Sequence, residues 1–565
     1  MAAHDFSSTR HTRNTSGIPI SARETHFSLG HPKWARPRLP RLSFAIRQTR
    51  SPRVVTGIIF TTIFVMAFGG HLMAVPGLRL WEDIICHHYY NDLQGEDHIG
   101  FDGHIDEGLC KGDEVQNQLN IFIGVLAFLT PIPSLLTTIP YGLLADRIGR
   151  KPVFALAMVG LLLGGCYNML IMSLWRVLPI QLLWFSPMFM LIGGGSALTS
   201  MMFYAIGCDI TAEANRTNLF LIGHGAGLLG ALIAPTVAGV LMAISPWIAM
   251  ILGILILAAG SSLVAFIPET LHLRLSVSGT LIEASEAERE LSPTRKTDKS
   301  SSYFATVKSQ FVDGLNNISS STAIMHSLPV VLLLLTFVSH SFASVGDDIS
   351  LRYISKRFQW KLQETSFLLS LRASINLALV LVIIPLLSKV LMQRLGMSSK
   401  GKDLFLARFS IIVLVIGALM MAASGTIGLT IFGLIVTTLG TGYSAFARSL
   451  ITTLVDQQHV GRLFAAVSVV ETLGSLAAGP SLNALYSVGL KKGGSWIGLP
   501  FYCVAIICSI AGVGVWSFGI LTRKQRRRQE MGFGEEYGDD YADAQSLFGD
   551  LDFLEPDHAD GRIRI

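Results

Sequence analysis

The chain has 565 residues, of which 50% are hydrophobic and 15% charged, and its mean hydropathy is +0.51. Because a soluble domain carries about a quarter charged residues, this composition excludes an ordinary soluble protein. The 44 Lys and Arg and the 39 Asp and Glu are concentrated in tails and loops, and we expect no nucleic-acid partner.

Twelve apolar stretches are long enough to cross a membrane, for which a helix needs about 18 or more apolar residues. A bilayer accepts only helices or closed barrels, and these stretches are too long and continuous for barrel strands. The sequence therefore predicts an all-α membrane protein with twelve transmembrane helices. The predicted spans are 54–78, 117–143, 152–174, 178–208, 217–243, 246–267, 327–348, 364–390, 407–424, 426–450, 462–487 and 496–521.

These spans divide the chain into two six-helix halves and three polar segments. The linker contains LSPTRKTDKSSS and the last segment is acidic, and both patterns are typical of flexible chain. The predicted parts are a basic tail 1–53, a first half 54–267, a linker 268–326, a second half 327–521 and a tail 522–565.

The distribution of charge predicts the orientation in the membrane. Ten Lys and Arg but only two acids precede the first predicted helix, whereas the loop after it carries two basic residues and ten acids. Because Lys and Arg are enriched in cytoplasmic segments, we expect both termini in the cytosol and the first loop outside. We expect a monomer in the plasma membrane.

Two of the six cysteines lie in the first loop. An exterior compartment permits disulfides, so Cys86 and Cys110 are predicted to form a bridge rather than remain free thiols. His87 and His88 raise metal binding as an alternative, but their spacing matches no zinc pattern. We expect no metal and no cofactor.

An internal repeat relates the two halves. Matches recur in order at an offset of about 247 residues, which predicts two parallel six-helix repeats with substrate bound at the midplane between halves that rock against each other. The matched residues are Arg147 and Gly149 with Arg394 and Gly396, Gly193 to Gly195 with Gly440 to Gly442, Asp209 with Asp456, and Arg216 with Arg462.

The loop after the second predicted helix reads GLLADRIGRK and resembles the G-x-x-x-D-R-x-G-R-R/K signature of the major facilitator superfamily. In this pattern the first glycine permits close helix approach and the second a tight turn. The segments PETL at 268–271 and KDLFLARFS at 402–410 resemble fungal members of the superfamily that export small organic molecules. The signature residues are Gly142, Asp146, Arg147, Gly149, Arg150 and Lys151.

The resemblance implies a cytosolic latch that breaks when the halves rock. Asp146 is implied to face the positive end of the eleventh helix. Two further acid–base pairs are expected in the latch, although each alternatively forms an ordinary surface ion pair contributing under about 1 kcal/mol. These pairs are Asp209 with Arg216 and Asp456 with Arg462.

The fifth predicted helix resembles an antiporter signature, G-x-x-x-G-P-x-x-G-G. Gly230, Pro235 and Gly239 match it, whereas alanine replaces glycine at Ala234 and Ala238. The alternative is a close-packed, kinked helix interface. The fourth helix lacks the arginine usual in drug–proton antiporters, which leaves the coupling mechanism open.

Few charges lie at membrane depth, where each needs a partner or a water-filled cavity. Arg372 and Asn376 share one face of the eighth helix, and Glu471 lies in the eleventh. Glu471 could carry a proton and Arg372 could bind an anionic substrate group, or the two could form a static pair. For His71 and His340 the alternatives are packing and proton relay.

These features predict a proton-coupled exporter of a toxin or secondary metabolite that works by alternating access. The alternatives are proton-coupled uptake of a nutrient and a non-transporting receptor with a transporter fold. No nucleophile–base pair, metal cluster or phosphate loop is recognisable, so the sequence does not indicate an enzyme. The expected partners are a small molecule, protons and the lipid bilayer.

Overall fold

The computed structural model describes residues 51–94, 105–211, 216–270, 273–275, 281–283, 328–452 and 460–519. The predicted tails and most of the linker lie outside these residues, as does Asp456. Some helical residues are described without their side chains, among them Asp146, Arg147, Arg216 and Arg462.

The first half contains six membrane helices, some built from two pieces. They are α1 (Pro52–Gln94), α2 (Asp113–Leu129 and Pro131–Ile148), α3 (Arg150–Ser173), α4 (a 3₁₀ helix Ile180–Ile192 and an α-helix Gly195–Ile210), α5 (Arg216–Met242) and α6 (Pro246–Leu263). A short helix, Glu107–Cys110, follows α1.

The second half repeats this order. It contains α7 (Leu328–Phe358), α8 (Leu362–Ala378, a π-helical turn Leu379–Ile383 and Ile384–Gln393), α9 (Ser399–Ala423), α10 (Ile427–Gly440 and Tyr443–Thr452), α11 (Val460–Lys492) and α12 (499–519). Within the predicted linker, strands β1 (Leu273–Leu275) and β2 (Leu281–Glu283) pair antiparallel.

Eleven stretches of the described residues are long and apolar enough to span a membrane. Helix α11 completes the set of twelve at the predicted place; it carries Glu471 and many small or polar residues, which lower its hydropathy. The chain is therefore an all-α membrane protein of twelve helices, as predicted. Large apolar side chains on the outside, such as Leu255 and Val513, are more than 60% exposed and suit a lipid environment.

The repeat is visible in the helix breaks. Helix α4 changes from 3₁₀ to α geometry at Gly194, and α10 is interrupted after Gly440. Gly194 and Gly195 have φ values of 76° and 64°, which favour glycine. Tyr141 of α2 donates to the Leu191 carbonyl at 2.9 Å and fixes the break in α4.

Helix α1 is longer than predicted. The prediction ended at residue 78, whereas α1 continues to Gln94. In the added turns Arg79 pairs with Glu82 at 3.3 Å and with Asp83 at 3.4 Å. Charged residues ended the apolar stretch in the sequence but do not end the helix, because their mutual pairing stabilises them there.

The halves meet along α2 with α11 and α5 with α8, where small residues allow close approach. A β-carbon at Gly479 would lie 2.9 Å from Ala127 Cβ, and one at Gly239 would lie 2.4 Å from Ser366 Oγ. Thr236 also donates to Ser370 Oγ at 2.8 Å. These contacts bring the two halves together near the first loop.

Candidate transport site

A cavity of about 650 Å³ lies in the first half. Its wall comes mainly from α1, α3, α4 and α5, and most of it is apolar. The polar side chains on the wall include His71, Asn168, Ser200 and His224. This volume falls in the range of small-molecule sites, about 300–1,000 Å³, so the cavity can hold a drug-sized molecule.

The signature loop caps the start of α3 through a residue that the sequence analysis missed. Glu269 accepts hydrogen bonds from the backbone amides of Arg150 at 2.8 Å and Lys151 at 3.1 Å. A carboxylate here is favoured by the helix dipole. Gly149 has a φ of 117°, and a β-carbon there would lie 2.2 Å from Glu269 Oε2, so this turn needs glycine.

The expected latch pairs are described only in part. Asp209 lies 3.6 Å from Arg150 Nε and accepts from Thr270 Oγ1 at 3.0 Å. The side chains of Asp146, Arg147, Arg216 and Arg462, and all of Asp456, lie outside the described residues. Gly142 packs against Met201 of α4, where a β-carbon would lie 3.1 Å from the methionine methyl carbon.

The antiporter-like face of α5 is closely packed on two sides. A β-carbon at Gly230 would lie 2.8 Å from Phe68 N of α1, and Gly239 meets α8 of the other half. Ala234 and Ala238 are fully buried. The motif therefore lies where α5 contacts both α1 and the second half.

The membrane-depth charges do not pair as the static-pair alternative supposed. Arg372 lies 2.5 Å from Asp347 of α7, and Glu471 lies 2.5 Å from Arg448 of α10. The alternative of a direct ion pair between Arg372 and Glu471 is therefore wrong. Asp347 and Arg448 were missed because they lie near predicted span ends, where charge is common.

A second cavity, of about 160 Å³, brings several predicted residues together. Arg372, Asn376 and His340 line it with Asp347. His340 also interacts electrostatically with Glu471 and Arg448. Across the halves, the positive charge of Arg372 acts on His71, which lines the first cavity.

We call the end of the bundle that holds residues 105–116 the first-loop side, and the end that holds 142–151 the motif side. On the first-loop side, buried Arg352 of α7 donates to Asn120 Oδ1 of α2 at 2.7 Å and to Asn483 Oδ1 of α11 at 2.9 Å. Asn120 also donates to Ser487 Oγ at 2.8 Å. This Arg352 network joins the two halves, and the sequence analysis did not find it.

The first loop adds a second group of contacts between the halves. Cys86 and Cys110 are joined in a disulfide, which holds the short helix Glu107–Cys110 against α1. Glu107 Oε1 then accepts from the backbone amide of Leu362, at the start of α8, at 2.8 Å. Lys356 of α7 pairs with Asp113 of α2 at 2.6 Å.

Glu107 is held as a carboxylate by its surroundings. Burial alone would raise the pKa of Glu107, but Lys111, Arg79 and the Leu362 amide outweigh it and lower the pKa below 4.5. Lys111 lies 3.0 Å from Glu107 and 2.7 Å from buried Glu82. The first-loop side is therefore closed by a charged, hydrogen-bonded cluster.

Comparison with known proteins identifies the family. A model described as the Major Facilitator Superfamily matches residues 114–479. The chain belongs to this superfamily. It is therefore a multi-pass membrane protein of a transporter family and not an enzyme, and the resemblance stated from the signature loop is confirmed.

The chain is also similar to fungal proteins named as efflux pumps. It is 30% identical to the MFS efflux pump atnC of Emericella nidulans over 78% of this chain and 83% of that protein. It is 28% identical to the efflux pump ustT of Aspergillus flavus over 82% and 88%. A D-xylose–proton symporter structure aligns with a TM-score of 0.53 at 13% identity, over 82% of this chain and 98% of that one, which supports the fold alone.

Proposed function

We propose that this superfamily member exports a small organic molecule, a toxin or secondary metabolite, from the cytosol by proton-coupled alternating access. The observation that carries the proposal is a drug-sized, mostly apolar cavity in a chain that is 30% identical to a fungal efflux pump. The charge distribution supports cytosolic termini and a motif side that faces the cytosol, and the plasma membrane is the proposed location.

Alternating access needs two sets of contacts that form in turn. The Arg352 network and the Glu107–Leu362 contact close the first-loop side. The second set, on the motif side, is assigned to Asp146 and the signature loop. Export then consists of substrate entry from the motif side, breakage of the first-loop contacts and release outside.

Proton coupling is assigned to Glu471. The Glu471 side chain is 22% exposed and that of its partner Arg448 is 44% exposed, so neither is sealed in the core. A proton on Glu471 removes the negative charge that holds Arg448, and a freed arginine at this depth favours a rearranged helix pair. In this proposal the substrate binds in the first half and the proton binds to Glu471 in the second half, and the movement of the halves couples the two.

The direct test is dye export from yeast cells that lack their own drug exporters. Cells that express the transporter are loaded with fluorescein, depleted of energy and then given glucose. We expect faster loss of dye than in cells with empty vector, and a protonophore should abolish the difference. Dye accumulation above the vector control would instead support uptake, and equal loss in both strains would contradict transport of this dye.

A further inference from the structure

The wall of the first-half cavity carries polar groups but no Asp, Glu, Lys or Arg among its described residues. Thr199 and Ser200 donate to carbonyls of their own helix, Gly195 O at 2.9 Å and Ser196 O at 3.0 Å. Their hydroxyl hydrogens are therefore used within α4 and do not offer donors to a ligand.

Beside the hydroxyls of Ser186, Ser196 and Tyr204, three nitrogen-bearing side chains line the wall and can recognise polar groups of a ligand. Neither Asn168 nor His224 makes a hydrogen bond or ion pair with another residue that the structure describes, and both line the cavity together with His71. An imidazole and an amide each supply a donor and an acceptor. Such a site can bind hydroxyl, carbonyl or carboxylate groups, but it has no anion to neutralise a cation.

The two histidines lie at different heights in the cavity. His224 follows Gly223, whose β-carbon would lie 3.4 Å from Ile63 Cδ1 of α1. His71 is eight residues beyond Ile63 on α1, a rise of about 12 Å at 1.5 Å per residue. A ligand that reached both imidazoles would therefore be about as long as three fused six-membered rings.

Among the described residues, the charge whose field acts on His71 is positive. Arg372 of α8 interacts electrostatically with His71 from the other half. Its partner Asp347 has a side chain only 9% exposed, whereas that of Arg372 is 26% exposed. A cationic ligand beside His71 would therefore lie in the field of a guanidinium.

We infer that the first-half cavity selects elongated, largely apolar molecules that are neutral or acidic, and that it rejects cations of the same size. This inference rests on the proposed transport function and adds its substrate class. The specificity-determining residues are His71, Asn168 and His224, together with the absence of a carboxylate from the described wall. Recognition by charge exclusion is a difference of affinities, so it is measurable without the native substrate.

Fluorescein and rhodamine 123 provide matched probes, because both are xanthene dyes and differ mainly in charge. Binding to the purified full-length protein in lipid nanodiscs is followed by dye anisotropy, with empty nanodiscs subtracted. We expect fluorescein and neutral Nile red to bind at least tenfold more tightly than rhodamine 123. Equal or tighter binding of rhodamine 123, or no binding of any dye, would overturn the inference.

Three variants locate the selectivity in this cavity. His224→Phe keeps a ring but loses both hydrogen-bonding nitrogens, and should weaken fluorescein binding at least fivefold. Ser200→Asp adds a carboxylate to the wall and should raise the affinity for rhodamine 123 at least tenfold, whereas the neutral Ser200→Asn should not. Unchanged rhodamine binding in a folded Ser200→Asp protein would place the dye elsewhere and refute the assignment.

Transport in proteoliposomes separates this inference from the proposed function. Selective dye binding without dye movement under an imposed pH gradient would contradict the transport proposal and leave the substrate class standing. Movement of rhodamine 123 in preference to fluorescein would support transport and contradict the proposed substrate class.

Discussion

Replacement of Arg352 by methionine should open the first-loop side. Arg352 is 5% exposed and donates to Asn120 and Asn483, which are 1% and 3% exposed. Methionine retains the apolar stem but leaves both amide oxygens without this donor. Hydrogen bonds to charged groups contribute about 1.5–3 kcal/mol each, so the two bonds amount to about 3 kcal/mol at the lower end. Such a change shifts the open–closed equilibrium by a factor on the order of a hundred.

An ion pair with one exposed partner, at the same end, serves as the matched control. Asp113 pairs with Lys356, but its side chain is 73% exposed. Exposed pairs contribute about 0–1 kcal/mol, so Asp113→Asn should shift the equilibrium by less than about fivefold. Burial, rather than the number of contacts, thus decides which substitution opens the transporter.

Distances between spin labels on the first-loop side measure this equilibrium. Cysteines at Glu114 of α2 and Glu364 of α8, both exposed, carry the labels in a background in which the four cysteines outside the disulfide are serine. Arg352→Met should populate longer distances that the Asp113→Asn control lacks. A folded Arg352→Met protein with the parental distance distribution would refute the role assigned to the network.

Three further predictions concern the charged groups. The lowered pKa of Glu107 stabilises the folded protein fully above about pH 4.5, the ordinary glutamate value, and this contribution is lost as pH falls through the lowered pKa. The melting temperature of the wild-type protein should therefore drop more steeply with acid than that of Glu107→Gln. Parallel curves for the two proteins would contradict this. Glu471→Gln should bind dye normally but lose accumulation driven by a pH gradient, and full accumulation would remove Glu471 from coupling. Asp146→Asn should lower the transport rate at least tenfold with unchanged membrane abundance, and a wild-type rate would exclude the latch role.

The helix count could be predicted because lipid imposes it, and the repeat because its residues recur in the sequence. Each span needs a long apolar stretch, and the glycines that break α4 and α10 recur at a fixed offset. The end of α1 could not be predicted in this way. Hydropathy treats Glu82 as a loop residue, whereas the fold surrounds it with Lys111 and Arg79, which the sequence places 29 and 3 residues away.

The partners of the buried charges could not be predicted from the sequence either. Arg372 and Glu471 are the conspicuous charges in apolar helices, so they were the natural candidates for a pair. Their partners Asp347 and Arg448 lie on neighbouring helices whose rotation is set by packing of the whole half. The same is true of Glu269, which meets Gly149 only because α6 ends beside the start of α3.

The coupling of substrate to proton flow is most directly tested by substrate-driven proton movement in proteoliposomes without an imposed gradient. A pH-sensitive dye in the lumen reports protons while fluorescein is added outside. We predict that fluorescein entry in the wild-type protein drives protons out and raises the luminal pH, and that Glu471→Gln admits fluorescein without this change. Fluorescein entry at constant luminal pH in the wild-type protein would contradict proton-coupled antiport.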